Sequence, residues 1–159
     1  FAIIIACVNH GKTDHAVILN PMNGDEFTAY RGRGAQLNNR RIRCGGLNTL
    51  TDAMIGFTQP LGLSESGYEQ RAKIQQLLMK NYDLRSIGSN ALSMAYVAAD
   101  RFQAALLSDV DSFSLTAGSL LASEAGCLLA DVTGQPRIVA PANIVITNPR
   151  LLKTLLTLD

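Results

Sequence analysis

Within Asp111–Gly126, DSFSLTAGSLLASEAG, the run SLTAGSLLASEAG reads as a helix that closes on a glycine, set between two β-rich runs, FQAALLS before it and CLLADVTG after it. Serines near its start suit an N-cap, and Gly126 suits the residue that ends a helix. Upstream, DLRSIG and SNALSMAYVAA repeat the order strand then helix. Downstream, NIVITN and PRLLKTLLTL do so again, with Pro149 expected at the first helical turn. Strands that alternate with helices in this way point to an α/β fold.

The first sixty residues carry a different period. FAIIIACV and HAVILNP are short β-rich runs joined by NHGKTD, whose Gly11 and Asp14 suit a turn, so they predict a hairpin. EFTAYRGRGAQLNN continues it as a meander, with Gly32 and Gly34 assigned to tight backbone geometry because a lone G-x-G is a weak phosphate-loop signal. AMIGFTQP reads as a buried strand closed by Pro60. Between Ser64 and Lys80 the period becomes helical, through Tyr68, Ala72, Ile74, Leu77 and Leu78, with Ser64 as the expected N-cap. The antiparallel part comes first and the alternating strands and helices second, without repeats, linkers or low-complexity tracts.

At 159 residues the chain is long enough for one domain, 1–159, around a real core. Hydrophobic residues make up 47% and 14 Lys and Arg nearly cancel 13 Asp and Glu, so there is no direct signal for nucleic acid or an anionic membrane. Arg31, Arg33, Arg40, Arg41 and Arg43 form the only basic cluster, which reads as a solvated rim. The apolar opening is too short to span a bilayer and lacks the basic leader of a signal peptide. Cys7, Cys44 and Cys127 are odd in number and far apart, as expected of reduced thiols in a cytoplasmic protein. A core strand at Phe1 with no initiator Met leads us to expect a C-terminal portion whose upstream half is absent.

Four segments then carry a resemblance. NPMNGDEFTAYRGRGAQLNNRRIR, RSIGSNALSMAYVAADRF, TAGSLLASEAGCLLADVTGQP and NIVITNPRLL, in this order and spacing, resemble the inositol monophosphatase family, in its SuhB-like branch, over essentially the whole chain. The resemblance implies part of a layered αβαβα sandwich, a homodimer, and Mg²⁺-dependent hydrolysis of phosphate monoesters. That chemistry needs clustered carboxylates to hold the ions that activate water and neutralise charge on the phosphate. In the family they come from an upstream Glu, a D-P-x-D-G-T segment and the Asp of W-D-x-A-A-G at a helix N-terminus, and the first two would lie before Phe1.

In the third segment Phe113 takes the Trp position and Ser114 the Asp position, while Leu107 stands where members commonly carry a Glu that contacts substrate hydroxyls. Asp111 precedes Ser114 by about one helical turn, some ~5 Å along the axis, too far for a Mg²⁺ shell of roughly 2.0 to 2.1 Å. Asp109 and Asp111 are therefore expected as solvated loop residues, with Ser114 or Ser112 capping the helix. Gly88, Ser89, Asn90 and Ala91 match the family's G-S/T-x-A turn, whose backbone N–H groups lie near the substrate, although the same residues suit an ordinary cap. Glu124 belongs to a family signature of structural character, and His10 and His15 are expected to face solvent.

Two functional expectations follow. The leading one is a degenerate, non-catalytic member with no Mg²⁺ of its own, retained for dimerisation or for a protein partner, as SuhB-type members partner the transcription machinery. The other is a Mg²⁺-dependent sugar or inositol phosphate monoesterase whose N-terminal metal-binding half is missing from this chain. An uncovered sheet containing FAIIIACV and HAVILNP would further make the chain a homo-oligomer that buries Ile3, Ile5, Val17 and Leu19, or their alternating neighbours.

Overall fold

Two sheets organise the chain in the computed structural model, which describes residues 1–61 and 65–157. The first is an antiparallel meander of β1 (Ile3–Asn9), β2 (Lys12–Asn20), β3 (Asp25–Tyr30), β4 (Gly34–Leu37) and β5 (Arg40–Ile42), in that spatial order. The β1–β2 turn is tighter than expected. It is made by His10 and Gly11, both at positive φ (48° and 73°), and Asp14 lies within β2. Such two-residue turns match the twist of the strands they join.

Alternation sorts the sheet into two faces. Ile4 pairs with Ile18 and Ile18 with Phe27, while Ala16 pairs with Ala29 and Ala29 with Ala35, and these rows point into the core. On the opposite face Ile3 pairs with Leu19 and Ile5 with Val17. Ile3 remains 46% and Ile5 63% exposed.

The second sheet contains β6 (Met54–Phe57), β7 (Asp83–Arg85), β8 (Ala104–Val110), β9 (Leu128–Asp131) and β10 (Ala142–Thr147) in the order β7-β6-β8-β10-β9. β6 runs parallel to β7 and β8, and β10 antiparallel to β8 and β9. Four helices accompany it: α1 (Glu65–Met79), α2 (Asn90–Ala98), α3 (Ser112–Ala125) and the short α4 (Leu152–Leu156). Pro149 falls before α4 rather than in its first turn, since Leu151 is the capping residue. The expected cap of α1, Ser64, lies outside the described residues.

The strands of the second sheet divide their side chains between two cores. Ala105, Leu107, Ile144 and Ile146 face α2, α3 and the inner rows of the first sheet, whereas Ala104, Leu106 and Val145 join Ile74 and Leu77 of α1 and Leu155 of α4. The layers therefore run sheet, helices, sheet, helices, which accounts for four of the five layers of an αβαβα sandwich. α2 and α3 approach closely at Gly118, where an added Cβ would stand 2.4 Å from the Met94 sulfur.

The remaining surface agrees with the sequence in detail. Arg31, Arg33, Arg40, Arg41 and Arg43 are all exposed, and Arg31 lies 3.5 Å from Asp14. His10 and His15 are exposed, the latter packed against Tyr30 with ring centroids 4.6 Å apart and the planes tilted by 59°.

Candidate functional site

The carboxyl ends of β6 and β8 meet the N-terminus of α2, a position where α/β sheets commonly bind ligands. A cleft of about 440 Å³ opens there, lined by Thr58, Gln59, Ser86, Gly88, Asn90 and Asp109 among others. A closed ring of hydrogen bonds holds it. Thr58 Oγ1 donates to Asn90 Oδ1 (3.0 Å), Asn90 Nδ2 to the Ser108 carbonyl (3.1 Å), and the Ser108 amide back to Thr58 Oγ1 (2.7 Å). The Ser108 hydroxyl adds a donation to the Thr58 carbonyl at 2.8 Å.

The four residues of the G-S/T-x-A turn divide by role. Gly88 is exposed at φ 68°, a conformation that glycine adopts without strain. Ser89 is the N-cap of α2, its hydroxyl oxygen accepting from the Leu92 amide at 3.3 Å. Asn90 lines the cleft with both amide atoms engaged in the ring, and Ala91 is buried. Of the four, Gly88 and Asn90 border the cleft.

Two residues away from Asp109, α3 begins. Its cap is Asp111, and neither Ser112 nor Ser114 takes that place. Asp111 Oδ1 accepts from the amides of Phe113 and Ser114, each at 2.9 Å, and Oδ2 accepts from the Ser114 hydroxyl at 2.7 Å. A carboxylate one residue before a helix reaches two of the amides that otherwise lack partners, and the helix dipole favours its charge. Burial works against the ionised form of Asp111, but these hydrogen bonds outweigh it and hold its pKa below the ordinary aspartate value.

Asp109 is not a loop residue. It is the next-to-last residue of β8, at φ 51°, and its Oδ2 accepts from the Leu61 amide at 2.7 Å while its own amide donates to Asn143 Oδ1 at 2.9 Å. It is exposed, as expected of a solvated residue, yet it ties the segment after β6 to β10. The sequence offered little signal for this, because Leu61 and Asn143 lie 48 and 34 residues away along the chain.

The two positions that depart from the resembled pattern sit as follows. Leu107 is wholly buried in β8 and packs between the layers, and Ser114 is 4% exposed in the first turn of α3. Among the described residues no three His, Cys, Asp or Glu side chains converge as an ion would require. Asp111 accepts three hydrogen bonds and Ser114 offers a hydroxyl, so these two residues alone do not supply the carboxylate cluster that a Mg²⁺ shell takes. Glu124, by contrast, is structural: its two oxygens accept from the amides of Gly32 (2.7 Å) and Gly34 (2.8 Å), fastening α3 to the β3–β4 turn.

Together the layers and the cleft define a layered α/β sandwich with its polar cleft at helix mouths. The chain belongs to the inositol monophosphatase family, whose model matches residues 1–158. It is 37% identical to the Nus factor SuhB of Pseudomonas aeruginosa over 99% of its own length and 59% of that protein's. To the inositol-1-monophosphatase of Rhizobium meliloti it is 36% identical, covering 98% of this chain and 58% of that one. The extragenic suppressor protein SuhB of Bartonella henselae superposes with a TM-score of 0.87 at 30% identity, over 98% of this chain and 59% of the other. The chain thus spans rather more than half the length of the relatives it matches. No helix among the described residues is long and apolar enough to cross a membrane.

Proposed function

We propose that this chain is a non-catalytic, cytoplasmic member of the inositol monophosphatase family, the C-terminal portion of that fold as one domain, kept for binding rather than hydrolysis. The observation that carries this reading is the mouth of α3, where Ser114 donates its hydroxyl to Asp111 and Asp111 also accepts from two amides at the helix start. Leu107 supports it independently, since an apolar side chain inside the core offers nothing to a polyol. Several of the relatives are named Nus factors, and a protein partner of this chain is the corresponding expectation.

A second copy is the other expected partner. The outer row of Ile3, Ile5, Val17 and Leu19 is continuous across two paired strands, and such a row strongly favours association. The cleft at Gly88 and Asn90 keeps a site for a small polar ligand, with donors from the start of α2.

The test is phosphate release from myo-inositol 1-phosphate with millimolar Mg²⁺, against a blank without protein and a control without metal. No release above the blank is expected. Metal-dependent release would instead establish the phosphomonoesterase reading, which the relative named inositol-1-monophosphatase favours.

A further inference from the structure

Two of the three cysteines, far apart in the chain, meet where α3 ends. The helix closes on Gly126 in a left-handed conformation, φ 85°, which turns the backbone so that Cys127 starts the next segment pointing back into the core. Cys44, just beyond β5, donates its amide to the Ala125 carbonyl at 2.9 Å. Its sulfur lies 3.8 Å from the place a Cβ would occupy on Gly126. Cys44 thus lies against the Gly126–Cys127 link, and both cysteines belong to the same core cluster. Cys127 is 7% exposed and Cys44 half-buried, so one thiol can be reached from solvent and its neighbour cannot.

We propose that Cys44 and Cys127 form a redox-responsive dithiol, which small-molecule disulfides convert to an intramolecular bond clamping the β5–β6 crossing to the end of α3. Nothing in the monoesterase or partner-binding readings uses these residues. Cys44 is suited to react first. The hydrogen bond from Cys127 lowers its pKa, with help from Arg43 and against burial and the charge of Asp100. The same pairing, reinforced by burial, pushes the Cys127 thiol up, so it waits as the resolving group.

The chemistry balances in two exchanges. The Cys44 thiolate attacks one sulfur of an oxidised low-molecular-weight thiol, RSSR; that S–S bond breaks, one RS⁻ leaves, and a mixed disulfide remains on Cys44. Cys127 then gives up its proton and attacks the Cys44 sulfur, expelling the second RS⁻. Two protein thiols lose two electrons, RSSR is reduced to two RSH, and the two thiol protons end on those products.

The consequence is mechanical. β5 ends the first sheet and the segment after Cys44 leads to β6 in the second, so the bond fixes the crossing between sheets to the helix layer that separates them. Because it closes a long loop, it removes much freedom from the unfolded chain.

The experiment uses the full chain incubated with oxidised glutathione, quenched with an alkylating reagent, digested and mapped by mass spectrometry. Expected is a Cys44–Cys127 cross-linked peptide, with Cys7 carrying glutathione or alkyl label as the exposed control. The melting temperature should rise by roughly 10 °C and fall back with dithiothreitol. Cys44→Ser should abolish the cross-link and leave Cys127 unmodified in the folded protein. If that variant fails to fold, phenylarsine oxide on the wild type decides the matter, since a trivalent arsenical bridges only thiols that lie side by side. A glutathione adduct that persists on Cys44 beside a free Cys127, a cross-link through Cys7, or no arsenical bridging would overturn the proposal.

Discussion

Replacing Asp111 with alanine removes the cap of α3, and its cost can be built from the contacts. Losing a side-chain cap costs about 1 kcal/mol. The Ser114 hydroxyl, 4% exposed, loses the acceptor that it meets at 2.7 Å, and a buried polar group left without a partner costs a further ~1–2 kcal/mol. The sum is about 2–3 kcal/mol, or roughly 5–10 °C in melting temperature for a chain of this size. Asp111→Asn keeps an acceptor for both amides and can donate to Ser114, so it should stay within about 0.5 kcal/mol of wild type.

The pH dependence has a definite sign. Because the folded pKa of Asp111 is lowered, its contribution is fully present above the ordinary aspartate pKa of about 3.9 and is lost as the pH falls through the folded value. Urea denaturation of wild type, Asp111→Ala and Asp111→Asn at pH 7 and at acid pH checks both statements. Should Asp111→Ala cost less than about 0.5 kcal/mol while millimolar Mg²⁺ stabilises the wild type and not the variant, the carboxylate would be a metal ligand and the capping account wrong.

Glu124→Ala should cost about 2 kcal/mol by removing two charge-assisted bonds to the amides of Gly32 and Gly34, and Glu124→Gln about half of that, read by the same denaturation series. Leu107→Glu together with Ser114→Asp restores the family residues, yet it puts a carboxylate where nothing is exposed. We expect a loss of about 3 kcal/mol or more with only a modest gain in Mg²⁺ affinity by calorimetry, and a large gain would refute the assignment of missing ligands. Ile5→Lys with Val17→Lys should turn an oligomer into a particle of 17.1 kDa by light scattering, and a wild type that is already monomeric across micromolar concentrations would show the outer row to be tolerated bare.

The fold was legible because its elements depend on local period. The hairpin at FAIIIACV, the helices from SNALSMAYVAA and SLTAGSLLASEAG and the strands around them all appear, with ends shifted by up to about three residues, where alternation and helical spacing place them. Misreadings came where two residue types compete for one task. Ser112 and Ser114 suit a cap, but Asp111 sits one residue earlier and its carboxylate serves two amides at once. Pro149 suits a first turn, but Asn148 accepts from the amides of Arg150 and Leu151 and holds that segment as a turn ahead of α4. The Thr58–Asn90–Ser108 ring and the Cys44–Cys127 pair left no trace in spacing, because each is assembled by tertiary contact between distant segments.

Leu107 shows why fold and chemistry separate so readily here. On β8, Ala105 and Leu107 face the inter-helix core while Ala104 and Leu106 face α1 and α4, so every inward position of this strand contributes to one core or the other. A glutamate at position 107 would interrupt that row and need cations or donors to hold its charge. A leucine there stabilises the layers by about 1.5–3 kcal/mol of burial, and a serine at 114 completes a cap. Each residue makes the sandwich more self-sufficient without any ion. If the chain is non-catalytic, as proposed, the features that keep it folded are the same ones that offer no carboxylate at positions 107 and 114, and a strong family likeness coexists with a site that serves binding alone.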